Sequence, residues 1–263
     1  MNSPSEIANI YVSVGIGKTR PSFLKMFVLG CMAGAFIAFG ALGSSVASCG
    51  IQPAALSRVL SAAVFPIGLM MVLCAGSELF TGNCLVIIPV LTRRIPLKDM
   101  LLGNWLPVYL GNLAGSMVVA ALVVFSHTPS LYGGALAQAM VSVASAKVHI
   151  NPIDAVAKGI LCNFMVCIAV WISFGAKDSF GKIAGPFLPI FLFVLCGFEH
   201  CVANMYFIPV GILASWIYNM PMPGLNWLTF VAFNLLPVTV GNIIGGCGMV
   251  GCIYWYVYLK GRK

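Results

Sequence analysis

Long apolar runs separated by short polar connections make up most of the chain, and their spacing predicts its elements. Residues 3–14 come first: Ser3 can cap a helix, Pro4 suits its first position, and Glu6 closes a capping box. That short helix puts Ile7, Ile10, Tyr11 and Val14 on one face, so it is expected to lie along a membrane surface until Gly15 and Gly17 end it. Six apolar regions follow, at about 23–44, 59–91, 100–125, 153–174, 184–213 and 227–258. Residues 45–58, with Gln52, Pro53 and Arg58, and residues 126–152, with His127, Lys147 and His149, read as connections. The second and fifth regions are too long or too polar for plain crossings. One carries Gly76-Ser-Glu-Leu-Phe-Thr-Gly-Asn83 and the other Gly197-Phe-Glu-His-Cys-Val-Ala-Asn204.

Both interruptions read G-x-E-x-x-x-x-N, and a second repeat accompanies them. Asn104-Trp-Leu-Pro-Val-Tyr-Leu-Gly-Asn-Leu-Ala-Gly115 matches Asn234-Leu-Leu-Pro-Val-Thr-Val-Gly-Asn-Ile-Ile-Gly245 as N-x-L-P-V-x-x-G-N-x-x-G, seven coincident residues in twelve. The chain is therefore two related halves, at about 23–125 and 153–258, each with three crossings. An odd number of crossings turns the second half upside down in the membrane. Inverted repeats bring their interrupted helices together near the midplane, where freed backbone groups line a cavity instead of facing lipid. The expected fold is an all-α membrane protein with six transmembrane helices in two inverted three-helix repeats, the second and fifth helices broken, in one transport domain spanning 1–263. The breaks at 76–83 and 197–204 should meet as pseudo-symmetric partners. Mere glycine kinks would not explain a carboxylate in each, which costs several kcal/mol in hydrocarbon unless satisfied.

Composition sharpens this picture. At 60% hydrophobic, 8% charged and a mean hydropathy of +1.01, the chain cannot cover itself with a water-facing shell, and about six crossings leave no room for an extramembrane enzyme domain. The net charge of +8 is no nucleic-acid footprint, because the basic residues sit at segment ends. Lys18, Arg20, Lys25, Arg93, Arg94, Lys98, Lys177, Lys182, Lys260, Arg262 and Lys263 fall on one side, against Arg58, Lys147 and Lys158 on the other. Both termini are accordingly expected on the cytoplasmic side of the inner membrane, and no cleavable signal precedes the first span. Nine of the ten cysteines lie in apolar runs, the other being Cys49, and none has the CxxC spacing of a zinc or redox site. No metal or cofactor is implied.

His200 is the only histidine inside a span. In a pathway it could hydrogen-bond an anion or hand it a proton; the alternative is a packing histidine bonded to a backbone carbonyl of the break. Glu78 and Glu199 read as structural, because two negative charges would defeat an anion path. Half-helix N-termini at the breaks would favour a small anion, with Thr81, Asn83, Asn163 and Asn204 able to add neutral hydrogen bonds. Lys147, in the outer connection, could attract anions at the mouth. Phe65, Leu69, Leu79, Phe80 and Phe193 beside the breaks are core in an ordinary protein and water-stripping constrictions in a pore.

These segments, with Lys147-Val-His149, Asn163-Phe-Met-Val-Cys167 and Asn234…Gly241-Asn242, resemble the formate/nitrite transporter family across nearly the whole chain. The resemblance implies an aquaporin-like six-helix protomer in a homopentamer, one pore per protomer, passing small monovalent anions such as formate, nitrite and hydrosulfide. It assigns His200 and Thr81 to a central chamber, Asn163 beside them and Lys147 to the periplasmic mouth. It also assigns Phe65, Leu79 and Phe193 to an outer constriction and Leu69, Phe80 and Val166 to an inner one, and overall likeness points toward hydrosulfide-type members. Two other readings stand beside it. A membrane redox or metal enzyme would need a second intramembrane histidine. A neutral-solute channel of the aquaporin or glycerol type would share the architecture, although paired Asn-Pro-Ala motifs are absent.

Overall fold

The computed structural model of the protein is all-α and describes residues 1–261. Arg262 and Lys263, counted above among the cytoplasmic basic residues, lie outside the described residues. Helix α1 runs over Pro4–Gly17 with its expected capping box, and Ser3, through its backbone amide first and its hydroxyl second, holds the Glu6 carboxyl below the usual carboxylate range. Five helices are long and apolar enough to cross a membrane: α2 (Phe23–Ser48), α3 (Ala54–Ala75), α5 (Asp99–Phe125), α7 (Pro152–Gly175) and α10 (Trp227–Tyr258). Shorter helices complete the set: α4 (Gly82–Leu91), α6 (Ala135–Val148), α8 (Ser179–Leu195) and α9 (Cys201–Ile217).

Three expectations need correction. The first span continues to Ser48, and α3 already begins at Ala54, so the connection read as 45–58 shrinks to residues 49–53. Residues 126–152 are not simply a connection, because α6 occupies their second half; its fourteen alanine-rich residues are too few for a span and give no span signal. The apolar face of α1 meets protein: Tyr11 is fully buried, donates to the Gly82 carbonyl at 3.2 Å and packs edge-on against Phe174.

Regions 59–91 and 184–213 each resolve into two helices. Helix α3 ends at Gly76 and α8 just before Gly197, and both glycines take the left-handed conformation (φ 77° and 71°) that a side chain resists. The chain resumes helical form at Gly82 in one case and Cys201 in the other.

The two halves repeat each other bond for bond. Glu78 N–H donates to the Leu29 carbonyl and Glu199 N–H to the Lys158 carbonyl, each at 3.3 Å. Asn112 caps Phe80 N–H and donates to the carbonyls of Gly30 and Glu78; Asn242 does the same for Cys201, Gly159 and Glu199, all at 2.8–3.0 Å. Near the start of α5 the Leu106 amide reaches five residues back to Leu101, as Leu236 reaches Val231 in α10. Each wide turn precedes a proline, Pro107 or Pro237, which has no N–H to donate. Tyr109 and Thr239, the same position in the two repeats, hydrogen-bond to each other at 2.8 Å.

Glycines fix how closely these helices approach. A methyl group on Gly115 would overlap the Cys31 carbonyl of α2, and one on Gly245 the Ile160 carbonyl of α7. Apolar tails surround the outer faces, so no hydrophobic force drives helices together; close backbone contact at small residues supplies the attraction instead. Gly115→Ala is therefore expected to destabilise the protein by at least the roughly 1–3 kcal/mol typical of overpacking, since rigid backbone has to move. Gly248→Ala, where nothing lies within 4 Å, should be neutral. Thermal midpoints of the detergent-solubilised variants check this, and equal midpoints would contradict the close-contact account.

Candidate functional site

Each break carries a buried or half-buried carboxylate that the fold has to satisfy. Lys18, just past the end of α1, places its Nζ 2.9 and 2.8 Å from the two carboxylate oxygens of Glu78, and Asn83 Nδ2 donates to the same group at 2.7 Å. Asn83 also donates to Asn104, whose amide returns to the Lys18 carbonyl at 2.9 Å. The second half repeats every link: Lys147 to both Glu199 oxygens at 2.9 Å, Asn204 to Glu199 and Asn234 at 2.7 Å, and Asn234 to the Lys147 carbonyl at 2.9 Å. These are the two ion pairs among the described residues. Glu78 and Glu199 are thus each bound by one lysine and one asparagine side chain.

Lys147 departs from expectation. It is not a free cation at the mouth: both its carboxylate contacts neutralise it, and its side chain is only 17% exposed. Lys18, a flanking charge by its place in the sequence, is the equivalent of Lys147: the two lie 129 residues apart, as do Gly30 and Gly159.

Between the two breaks lies a buried polar pair. His200 caps α9, with Nδ1 accepting the Ala203 N–H at 3.0 Å, and its Nε2 stands 2.9 Å from Thr81 Oγ1. The backbone contact is thus to an amide, not a carbonyl. With Nδ1 accepting, the single proton of a neutral imidazole sits on Nε2 and points to the Thr81 hydroxyl. This pair has no counterpart in the repeat: the residue matching His200 is Leu79, and the one matching Thr81 is Val202.

Asn163 adjoins the pair, but both its amide hydrogens are engaged by the carbonyls of Thr81 (3.2 Å) and Asn242 (2.7 Å), so it orients backbone instead of offering a free donor. Asn83 and Asn204 likewise have their amides committed to Glu78 and Glu199.

Phe65 and Phe193 pack edge to face with ring centroids 5.6 Å apart, and Phe193 stacks on the His200 imidazole at 5.9 Å. Above them is a cavity of about 640 Å³ whose lining runs from exposed Arg58 and Lys158 past Glu199 to Phe65, Phe193 and His200. Leu69, Leu79, Phe80 and Val166 are buried in the same apolar cluster and do not line that cavity; the Phe80 ring rests against Trp105 and Tyr109. Among the described residues no group of three or more His, Cys, Asp or Glu side chains could hold a metal ion.

A model of the formate/nitrite transporter family matches residues 5–256. The chain belongs to that family. Its relatives within the family include a probable formate transporter of Methanothermobacter thermautotrophicus, 39% identical over 98% of this chain and 97% of that one. The formate channel FocA of Escherichia coli K12 is 35% identical over 98% of this chain and 94% of its own length. Among solved structures, a pentameric formate channel with formate bound superposes with a TM-score of 0.80 at 33% identity, covering 90% of this chain and 98% of that one. An FNT family ion channel gives a TM-score of 0.84 at 28% identity, covering 95% and 98%. As a formate/nitrite transporter family member, this is a multi-pass membrane transport protein and not an enzyme. The neutral-solute alternative finds no support among these relatives.

The doubled ion pair makes a direct prediction for this family member. Lys147→Ala leaves the buried Glu199 charge uncompensated, a loss of roughly 3–5 kcal/mol for broken buried pairs. Glu199→Gln leaves the Lys147 ammonium facing an uncharged amide and should also destabilise. The double variant Lys147→Met/Glu199→Gln removes both charges and should recover much of the thermal midpoint. Additive losses in that double-mutant cycle would mean the two side chains do not depend on each other.

Proposed function

We propose that each protomer is an inverted-repeat unit of six crossings that conducts small monovalent anions of the formate, nitrite and hydrosulfide class. It sits in the cytoplasmic membrane with both termini inside, and five copies assemble with one pore in each. The Thr81–His200 pair, held between the two breaks beneath a cationic cavity, is the observation that carries this reading. Three crossings per half invert the second, and the bond-for-bond equivalence of the breaks supports that arrangement. Relatives named as formate channels, one of them pentameric with formate bound, support both the substrate class and the assembly.

The physical problem is dehydration. An anion passing Phe65, Leu79 and Phe193, and then Leu69, Phe80 and Val166, sheds much of its hydration shell, and an unpaired charge there is prohibitively expensive. Protein donors have to replace the lost water. In this reading the Thr81 hydroxyl, itself polarised by His200 Nε2–H, is the donor, and the positive end of the α9 dipole adds to it without a fixed charge, although the Cys201 and Ala203 amides are already taken by Asn242 and His200. Lys18 and Lys147 do not bind the anion directly; each cancels the carboxylate beside a break and so removes an electrostatic barrier.

The Ala203 amide bears on the role of His200. To become an imidazolium, the ring would need a proton on Nδ1, where an N–H already points at it at 3.0 Å. To donate its Nε2 proton outright from the neutral state, it would have to become an imidazolate. Both are unfavourable, which supports a neutral hydrogen-bond donor over a proton shuttle. His200→Asn keeps a donor but shortens it, so formate and hydrosulfide flux into proteoliposomes should fall about tenfold, the worth of a lost site hydrogen bond. The shape of the flux profile between pH 5 and 8, about the range over which an imidazole titrates, should match the parent's. A titration step present in the parent and absent from the variant would overturn the neutral-donor role, and unchanged flux would reduce His200 to packing.

A further inference from the structure

The repeat separates what builds the protein from what does not. Lysine, glutamate and asparagine at the breaks occur twice, in matching places. Arg58 and Lys158 do not belong to that set: the residue equivalent to Lys158, which likewise presents its carbonyl to the glutamate of a break, is Leu29. Both basic side chains line the cavity, and neither makes a hydrogen bond or ion pair through its charged group among the described residues. Asp154, one turn before Lys158 on α7, forms no ion pair with it. The lining therefore holds three cations, Arg58, Lys147 and Lys158, against the single carboxylate of Glu199, leaving two uncompensated positive charges.

The guanidinium also lies against the break: a Cβ on Gly197 would lie 3.3 Å from Arg58 Nη1, a space the bare glycine leaves open. A planar fork of N–H donors matches two oxygens of one anion bidentately, whereas an ammonium acts as a point charge.

We propose that Arg58 and Lys158 form a capture subsite at the rim of the cavity that seats planar, two-oxygen monovalent anions, carboxylates and nitrite, ahead of Phe65 and Phe193. The proposal rests on the pore reading above and gives it a preference. Arg58 selects by shape, and hydrosulfide, with a single acceptor atom, gains only the charge. Lys158 raises the local concentration of any anion, an effect that ionic strength screens.

The test uses the full-length protein in proteoliposomes, with formate and hydrosulfide as the two probes. Arg58→Lys keeps the charge and loses the fork. It should raise the half-saturation concentration for formate at least about tenfold, the worth of one charge-assisted hydrogen bond, while leaving that for hydrosulfide unchanged. Lys158→Gln should raise both, with the difference shrinking at high salt. Both side chains are exposed and unpaired, so the variants should keep the parent's thermal midpoint. Half-saturation values that shift equally for the two anions on Arg58→Lys, or not at all, overturn the proposal. A second measurement separates it from the pore reading: saturation-transfer NMR of formate on the detergent-solubilised protein. Weaker formate contact in Arg58→Lys, with a parent that passes no anion, would sink the pore and keep the subsite. Flux in the parent with equal formate contact in parent and variant would do the reverse.

Discussion

A carboxylate among apolar helices has to find a positive partner, and this requirement governs where much of the chain goes. Glu78 draws in Lys18 from the end of α1, and Glu199 draws in Lys147 from the end of α6. Each lysine carbonyl then takes an asparagine amide from the start of α5 or α10, so three separate stretches of chain converge on each break, one of them α2 or α7 through a backbone carbonyl. Backbone that leaves helical form needs partners of its own, and Asn112 and Asn242 provide them from the long helices alongside. The breaks are accordingly anchored: the Glu78, Phe80, Glu199 and Cys201 amides and the Glu78 and Glu199 carbonyls all bond to neighbouring helices. Such anchoring is what a site needs when dipoles, rather than mobile charges, are to replace water around an ion.

Pseudo-symmetry sorts the polar residues by role. Those present in both halves hold the scaffold, and their hydrogen-bond lengths agree between halves to within about 0.3 Å. Those present in one half break the symmetry: Thr81 and His200 between the breaks with Asn163, whose counterpart is Gly34, beside them, and Arg58 and Lys158 at one rim. A two-fold scaffold alone would offer the same environment from either side. The proposed function therefore resides in the exceptions to the repeat.

Much of this was legible in the sequence, for identifiable reasons. The glycine and glutamate of each interruption and the Asn-x-Leu-Pro-Val repeat are short-range patterns, and helices do stop beside Gly76 and Gly197, where the glycine pattern stands. Helix α6 escaped because Ala135–Val148 has neither the length of a span nor a clear apolar face. The pairing of Lys18 with Glu78 escaped because sixty residues separate them, and only the repeat offset connects Lys18 to Lys147. The Lys147–Glu199 pair is not legible either, because polarity along a chain reveals exposure poorly once a distant carboxylate folds against it. The committed amides of Asn83, Asn163 and Asn204 were invisible for the same reason: a sequence shows a donor but not what already occupies it.

The glycine contacts also bear on motion. Helix α2 meets α3 where a Cβ on Gly40 would lie 2.8 Å from the Phe65 carbonyl and 2.9 Å from the Gly68 amide, so the backbone carrying Phe65 is seated directly on its neighbour. Backbone in that position has no side chain to repack, so sliding α3 along α2 by a turn would separate surfaces that fit only in this register. In the proposed pore, widening between Phe65 and Phe193 is therefore expected from rotation of the rings or from movement of α8, which carries Phe193, rather than from a shift of α3.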